Sequence, residues 1–204
     1  GLCDVTPQGA RAGRTRLPDV SRSGGDHGWG ESCQPPQHGV VFGVPSHQKY
    51  ENEGGPGIID IMETLTKSDN PFVDKSVFMK SQILFSLLAA INGHAKNFTV
   101  FLAPDGIRLT PLYDVMSAYP LIEKKQLRHD KIKFAMAVGN NRHYKLKEIQ
   151  RRHWLQTAKK AKFSETQTKQ IIDELIESTP QIMKMLQKNL SKNFPKDIAN
   201  PIFK

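Results

Sequence analysis

Between Val73 and Ile91 the chain is too apolar to form a surface helix. Val77, Leu84, Leu88 and Ile91 recur at helical spacing, with Phe78 and Phe85 beside them. A helix with that much apolar surface needs neighbours on several sides, so this segment predicts the centre of a packed helical domain. A shorter helical pattern precedes it: Ile58, Ile61, Met62 and Leu65, after the turn-rich Gly54-Gly55-Pro56-Gly57. Pro56 suits a helix N-terminus, and Asn70-Pro71 breaks the short helix before the long one begins. Asn92-Gly93 is expected to end the long helix, because both residues tolerate a left-handed C-terminal cap.

Two β-rich runs follow, Phe98 to Leu102 and Ile107 to Leu112, with Pro104-Asp105-Gly106 between them. That proline and glycine turn signal predicts a hairpin. Beyond it the pattern is helical again. One helix is expected over Leu146 to Lys162. Another opens on a Ser164-x-x-Gln167 capping box, with Ile171, Ile172, Leu175 and Ile176 as its core face. Thr179-Pro180 is expected to cap a further helix carrying Ile182, Leu186 and Leu190, and the apolar stripes over 171–190 read as core. The fold class is therefore mainly α with a small β-hairpin, without internal repeats.

Residues 1–44 have a different texture. They hold 9 of the 15 glycines and 4 of the 13 prolines, and neither period 2 nor period 3.6 runs through them. Such a segment buries too little apolar surface to offset its ordering entropy, and the expectation is an unstructured stretch followed by one domain over 45–204. The glycine-rich Ser23-Gly24-Gly25-Asp26-His27-Gly28 follows no strand and reads as loop rather than as a phosphate loop. Cys3 and Cys33 fall in the same stretch and read as free thiols. The start shows no basic-then-apolar signal pattern, and no apolar run reaches the roughly 18 residues of a membrane helix. The expected location is the cytoplasm.

The net charge of +9 is concentrated. Thirteen Lys/Arg against three Asp/Glu lie between Glu123 and Lys162. A basic stripe of this kind suits an anionic partner, most often nucleic acid, or forms a solvated lysine-rich face.

The hairpin makes a chemical prediction. Asn97 stands just before its first strand and Tyr113-Asp114 just after its second, so antiparallel pairing brings them to one end. The loop Asn92-Gly93-His94-Ala95-Lys96 opens onto that end. Asp and Asn oxygens are hard ligands suited to Mg²⁺, which keeps positions for water and phosphate oxygens. Protein-kinase catalytic loops space a catalytic Asp and a metal-binding Asn by four residues, with a second metal-binding Asp on a following segment. The interval from position 92 to Asn97 is the same, and Asp114 follows. Spacing alone leaves a second reading open: ordinary loop polarity, with Asp114 capping a turn.

Two strings then carry a resemblance. Asn92-Gly93-His94-Ala95-Lys96-Asn97-Phe98-Thr99 and Arg108-Leu109-Thr110-Pro111-Leu112-Tyr113-Asp114-Val115-Met116-Ser117-Ala118-Tyr119-Pro120 are similar to the signature of HipA-type serine/threonine kinases, the toxin half of a toxin–antitoxin pair. Lys49-Tyr50-Glu51 with Gly54-Gly55-Pro56-Gly57-Ile58, Lys133-Phe134-Ala135-Met136, and Arg152-His153-Trp154 resemble the same family. The resemblance runs from about Val44 to the C-terminus. It implies the HipA-like C-terminal lobe of a protein-kinase-like fold, Mg²⁺ and ATP as ligands, and a HipB-type DNA-binding antitoxin as partner. It implies Asn97 and Asp114 as metal ligands, His94 and Lys96 in the catalytic loop, and Lys159 and Lys162 facing operator DNA held by the antitoxin.

Two departures limit what this implies. Where the family has a catalytic Asp, this chain has Asn92. A neutral amide accepts no proton at ordinary pH, and losing a positioned base costs about 10²- to 10⁴-fold in rate. The family's nucleotide lobe, with its glycine-rich loop and β3 lysine, has no counterpart in the sequence, and a companion chain is one way to supply it. The expectation is a coding sequence shortened and read out of frame upstream of about Val41. The functional expectation is a truncated, catalytically impaired HipA-type kinase. The alternatives are a non-catalytic module binding an antitoxin and operator DNA, or a gene remnant.

Overall fold

The computed structural model describes residues 37–40, 48–103 and 106–203, all within one compact unit, Pro36–Lys204. Cys3, Cys33, the glycine-rich 23–28 stretch and the region upstream of Val41 that bears on the reading frame, apart from 37–40, lie outside these residues.

Six helices and five strands are described. Helix α1, Ile58–Thr64, continues as a 3₁₀ turn over Leu65–Lys67 and buries Ile58, Ile61, Met62 and Leu65. Gly57 is its N-terminal cap, its N–H bonded to the Asp60 carboxylate at 2.8 Å, so Pro56 precedes the helix. Helix α2, Pro71–Leu87, is capped by Asn70, whose Oδ1 accepts the Val73 N–H at 3.3 Å, with Pro71 as its first residue. Asn70-Pro71 thus starts a helix as well as ending one.

The face of α2 that is buried differs from the expected one. Phe78, Met79, Ile83 and Phe85 are buried, whereas Val77 is 42% exposed and Leu84 and Leu88 are half-buried. Phe78 turns edge-on to Phe98, with centroids 4.7 Å apart. The helix also stops earlier than expected, and the left-handed residue after it is Ala89 (φ 49°) rather than Asn92 or Gly93. Gly93 is needed for close approach instead: a Cβ there would meet the Phe85 ring at 2.4 Å.

The hairpin is present as β2, Thr99–Ala103, and β3, Gly106–Leu109, paired Val100 to Leu109 and Ala103 to Gly106. Its second strand is shorter than the sequence suggests, although the Thr110 N–H still reaches the Thr99 carbonyl at 3.0 Å. A third strand, β1, Gln37–Val40, pairs with the other edge of β2 and lies within the 1–44 stretch read as unpatterned. A second sheet, absent from the sequence reading, joins β4, Lys133–Val138, to β5, His143–Lys145. Helix α3, Tyr119–Glu123, packs with the C-terminal α6, Lys196–Ile202, through a Lys124–Asp197 ion pair at 2.6 Å.

Helix α4 covers Arg151–Lys160, with a 3₁₀ turn at Leu146–Glu148 in place of its expected first turns. Helix α5 is one element, Glu165–Asn189, started by Ser164, whose Oγ accepts the Gln167 N–H at 3.2 Å. The expected break at Thr179-Pro180 does not occur. Pro180 removes one donor, while the Thr179 hydroxyl bonds the Leu175 carbonyl, so the turn is held locally. The second half of α5 is not core: Ile176, Ile182, Met185 and Leu186 are 44–57% exposed, against 7–9% for Ile171, Ile172 and Leu175. Among the described residues no helix is long and apolar enough to cross a membrane.

His153, in α4, is 5% exposed and its ring stacks on His143 with centroids 4.0 Å apart. Burial, and then the charges of His143 and Arg152, hold its imidazole below the usual value near 6.5. An unfolded His153 therefore takes up a proton before the folded one does. The stability this contributes is full above about pH 6.5 and falls as pH drops through the interval below. Glu51 acts oppositely: burial raises its carboxyl, so its contribution is present at low pH and lost as pH rises through the folded value. Comparing melting temperatures of wild type and His153→Gln from pH 8 to 5 isolates the histidine. The wild-type loss on acidification should be the steeper, and parallel curves would refute the assignment.

Candidate functional site

The hairpin gathers the predicted rim. Phe98 and Val100 are buried and anchor the start of β2 in the core, and the Thr99 and Thr110 hydroxyls meet at 2.7 Å across the ladder. Asn97 ends a 3₁₀ turn, Ala95–Asn97, one residue before β2, and Asp114 follows β3. The Asn97 amide donates from Nδ2 to Asp114 Oδ2 at 3.0 Å. Asn92 donates from its own Nδ2 to the Asp114 backbone carbonyl at 2.7 Å, and the Tyr113 phenol donates to the Lys96 carbonyl at 2.6 Å. Two loops far apart in sequence are thus tied by three hydrogen bonds. Asp114 is held in the left-handed region, φ 54°, where a non-glycine residue needs such support.

The arrangement can be tested for a cation. Asp114 is exposed and offers a carboxylate, and Asn97, 5% exposed, offers one amide oxygen. Two protein oxygens with space for water and phosphate oxygens fit Mg²⁺. Asn97 Oδ1, however, accepts the His94 N–H at 3.2 Å, and its amide nitrogen faces the carboxylate. Holding a cation between the two side chains requires that amide to turn over. No group of three or more His, Cys, Asp or Glu is placed to hold a metal among the described residues.

His94 is half-buried, and its buried Nδ1 has no hydrogen-bond partner among the described residues. Burial, then the nearby Lys49, lower its pKa, and Asp114 opposes them. Tyr50 meets the ring edge-on, centroids 5.3 Å apart, and the Lys49 ammonium lies 5.2 Å from the Tyr50 ring centre. Lys49 and Tyr50 therefore join the rim, although the sequence reading left them out of the site. Their signal was available, because both fall in one of the strings that carry the family resemblance. The charges of Lys49 and Lys96 both reach His94, and positive charge gathered at the rim in this way suits phosphate oxygens.

Lys159 and Lys162 lie elsewhere. Both are exposed at the end of α4, with Lys162 left-handed (φ 51°) in the turn beyond it. Neither forms part of the Asn97–Asp114 rim.

Asn92 makes a bond that an Asp at this position could not, since a carboxylate has no hydrogen to give the Asp114 carbonyl. Asn92→Asp is expected to destabilise the protein by about 1–2 kcal/mol, more than Asn92→Ala, because repulsion adds to the lost bond. Urea unfolding of the two variants measures this. An Asp variant as stable as wild type would show that the bond holds nothing.

Residues 38–183 match the family model described as HipA-like C-terminal domain. The chain is 30% identical over 142 residues to Y4mE of Sinorhizobium fredii, a protein whose name assigns it provisionally to the kinases. The match takes in 68% of this chain and 31% of that protein. The fold is similar to a solved chain from the Shewanella oneidensis MR-1 complex of HipA, HipB and operator DNA. The TM-score is 0.65 at 17% identity, over 77% of this chain and 37% of that one. The chain thus spans about a third of the length of each of these two proteins.

Proposed function

The chain belongs to the HipA-like C-terminal domain family, and on that footing we propose that it is the lobe of a HipA-type kinase that holds metal and nucleotide phosphates but transfers phosphate poorly. The observation that carries this is the Asn97–Asp114 contact at 3.0 Å, with the Asn92 amide on Asp114 where a base would stand. Asn97 and Asp114 would hold Mg²⁺, which when bound neutralises phosphate charge. His94, Lys96 and Lys49 would line the phosphates. Asn92 can orient a hydroxyl but takes no proton from it, so the base contribution of about 10²- to 10⁴-fold is lost.

Titrating ATP into the chain with and without Mg²⁺ tests the holding role, and a transfer assay with a complete kinase's substrate tests the deficit. Heat that needs Mg²⁺, without transfer, is expected. Robust transfer that Asp114→Ala abolishes would overturn the deficit.

A second reading has its own support. Lys159 and Lys162 are exposed at one helix end, and lysines contact phosphates without reading bases. In that reading the domain docks on a HipB-type antitoxin and strengthens its hold on operator DNA. A gel shift of antitoxin and operator with and without this chain, at several salt concentrations, decides it: an unchanged mobility and affinity rules it out.

A further inference from the structure

A hollow of about 500 Å³ lies apart from the Asn97–Asp114 rim, and four lysines line it: Lys67, Lys75, Lys160 and Lys162. They come from the 3₁₀ turn after α1, the first turns of α2, the end of α4 and the turn beyond it. Among the described residues Glu63 is the one acidic residue in the lining, Thr66 adds a hydroxyl, and Ile59 and Ala161 give apolar surface.

Elsewhere on this molecule long cations find carboxylates: Lys80 with Glu174, Lys124 with Asp197, Arg151 with Asp173. None of the four lysines in the hollow forms an ion pair among the described residues, and Lys160 bonds only the Asn140 carbonyl, at 3.2 Å. Lys67 and Lys160 end turns, where free carbonyls favour cations. That explanation fails for Lys75. It stands near the N-terminus of α2, which disfavours a cation, and its neighbour Asp74 is buried, bonded to the Ser68 hydroxyl and the Leu109 N–H. Four lysines line one hollow with no ion-pair partner among the described residues, and their like charges suit an anion from outside the polypeptide.

We propose that this hollow binds a compact polyphosphate group of a small ligand. The ammoniums are point charges suited to phosphate oxygens. The volume is that of a small-molecule site, and four lysines against one glutamate match the charge of two or three linked phosphates. Among the described residues no aromatic ring lines it to stack on a base, and recognition is of the phosphates. Lys159 is outside the lining, whereas Lys162 belongs both to the hollow and to the surface assigned above to DNA, so the two readings share that residue and the test must separate them.

Inorganic tripolyphosphate titrated calorimetrically into the whole chain in EDTA silences any metal-dependent binding at the rim. Saturable one-to-one binding is expected, weakened at least 10-fold by Lys67→Gln with Lys75→Gln and unchanged by Asp114→Ala. Lys184→Gln with Lys188→Gln, on the distant half of α5, controls for net charge. Absent binding, or equal weakening by both double variants, overturns the proposal. So does random-sequence duplex DNA that displaces tripolyphosphate and is weakened as much by the Lys67/Lys75 pair, since the hollow would then be a nucleic-acid contact.

Discussion

Asp114→Ala is expected to remove Mg²⁺-dependent ATP binding, with affinity falling on the order of 100-fold or more. Losing even an outer partner of a metal site costs about 10- to 100-fold, and Asp114 is the only carboxylate proposed as a ligand here. The change removes more than charge. Asn97 loses the acceptor of its amide nitrogen, and its buried side chain keeps the bond from the His94 N–H. The backbone bond from Asn92 to the residue-114 carbonyl can persist, so the loop should keep its course and the protein should fold. Circular dichroism checks folding, and calorimetry with and without Mg²⁺ reads the binding. A variant that binds ATP like wild type, with the same Mg²⁺ dependence, would remove Asp114 from the site and with it the proposed function.

Phe78→Ala should destabilise the protein by about 3–5 kcal/mol, the range for emptying a buried aromatic site. Phe78 has no exposed surface, packs edge-on against Phe98, and Phe98 in turn lies 6.1 Å from the Phe85 ring, centre to centre. Phe98 follows Asn97 directly, so the cavity would open beneath the site as well as within the core. The neighbouring Val77→Ala, at an exposed position, should cost less than about 0.5 kcal/mol. Urea unfolding of both variants gives the comparison. Similar losses for the two would mean that the burial assigned to α2 is wrong.

That comparison also shows where sequence reasoning loses its hold. The apolar density of 73–91 announces a central helix, and its residues satisfy two overlapping stripes. Periodicity identifies a stripe but not the partner that covers it. In the fold α1, β2 and α4 contribute to the core around Phe78 and Met79, and Val77 is left to solvent. The same limit applies to α5. Ile182 and Leu186 keep the spacing of a core face, yet in the structure that half of the helix is exposed. The β4–β5 sheet went unread because its pairing is irregular: Lys133 pairs with Lys145 and Val138 with His143, with a shift between them, so no clean alternation marks it.

The site was more legible. A hairpin places its two ends together whatever the rest of the chain does, so the meeting of Asn97 and Asp114 follows from a local turn signal. Lys49 and Tyr50 could be placed beside His94 only by tertiary packing, because more than forty residues separate them in the chain.

By itself the sequence located the helices around 58–65, 73–87 and 151–176 and the hairpin between them, carried the family resemblance, and put an amide at position 92. These are properties of residue type and of contacts a few positions apart, written directly in the order of the residues. Tertiary structure alone decided which face of α2 is buried, that α5 runs through Pro180, which way the Asn97 amide points, and that Lys67, Lys75, Lys160 and Lys162 converge on one hollow. Each depends on distant segments meeting, and the free energy of such a meeting belongs to the pair of surfaces rather than to either stretch of chain.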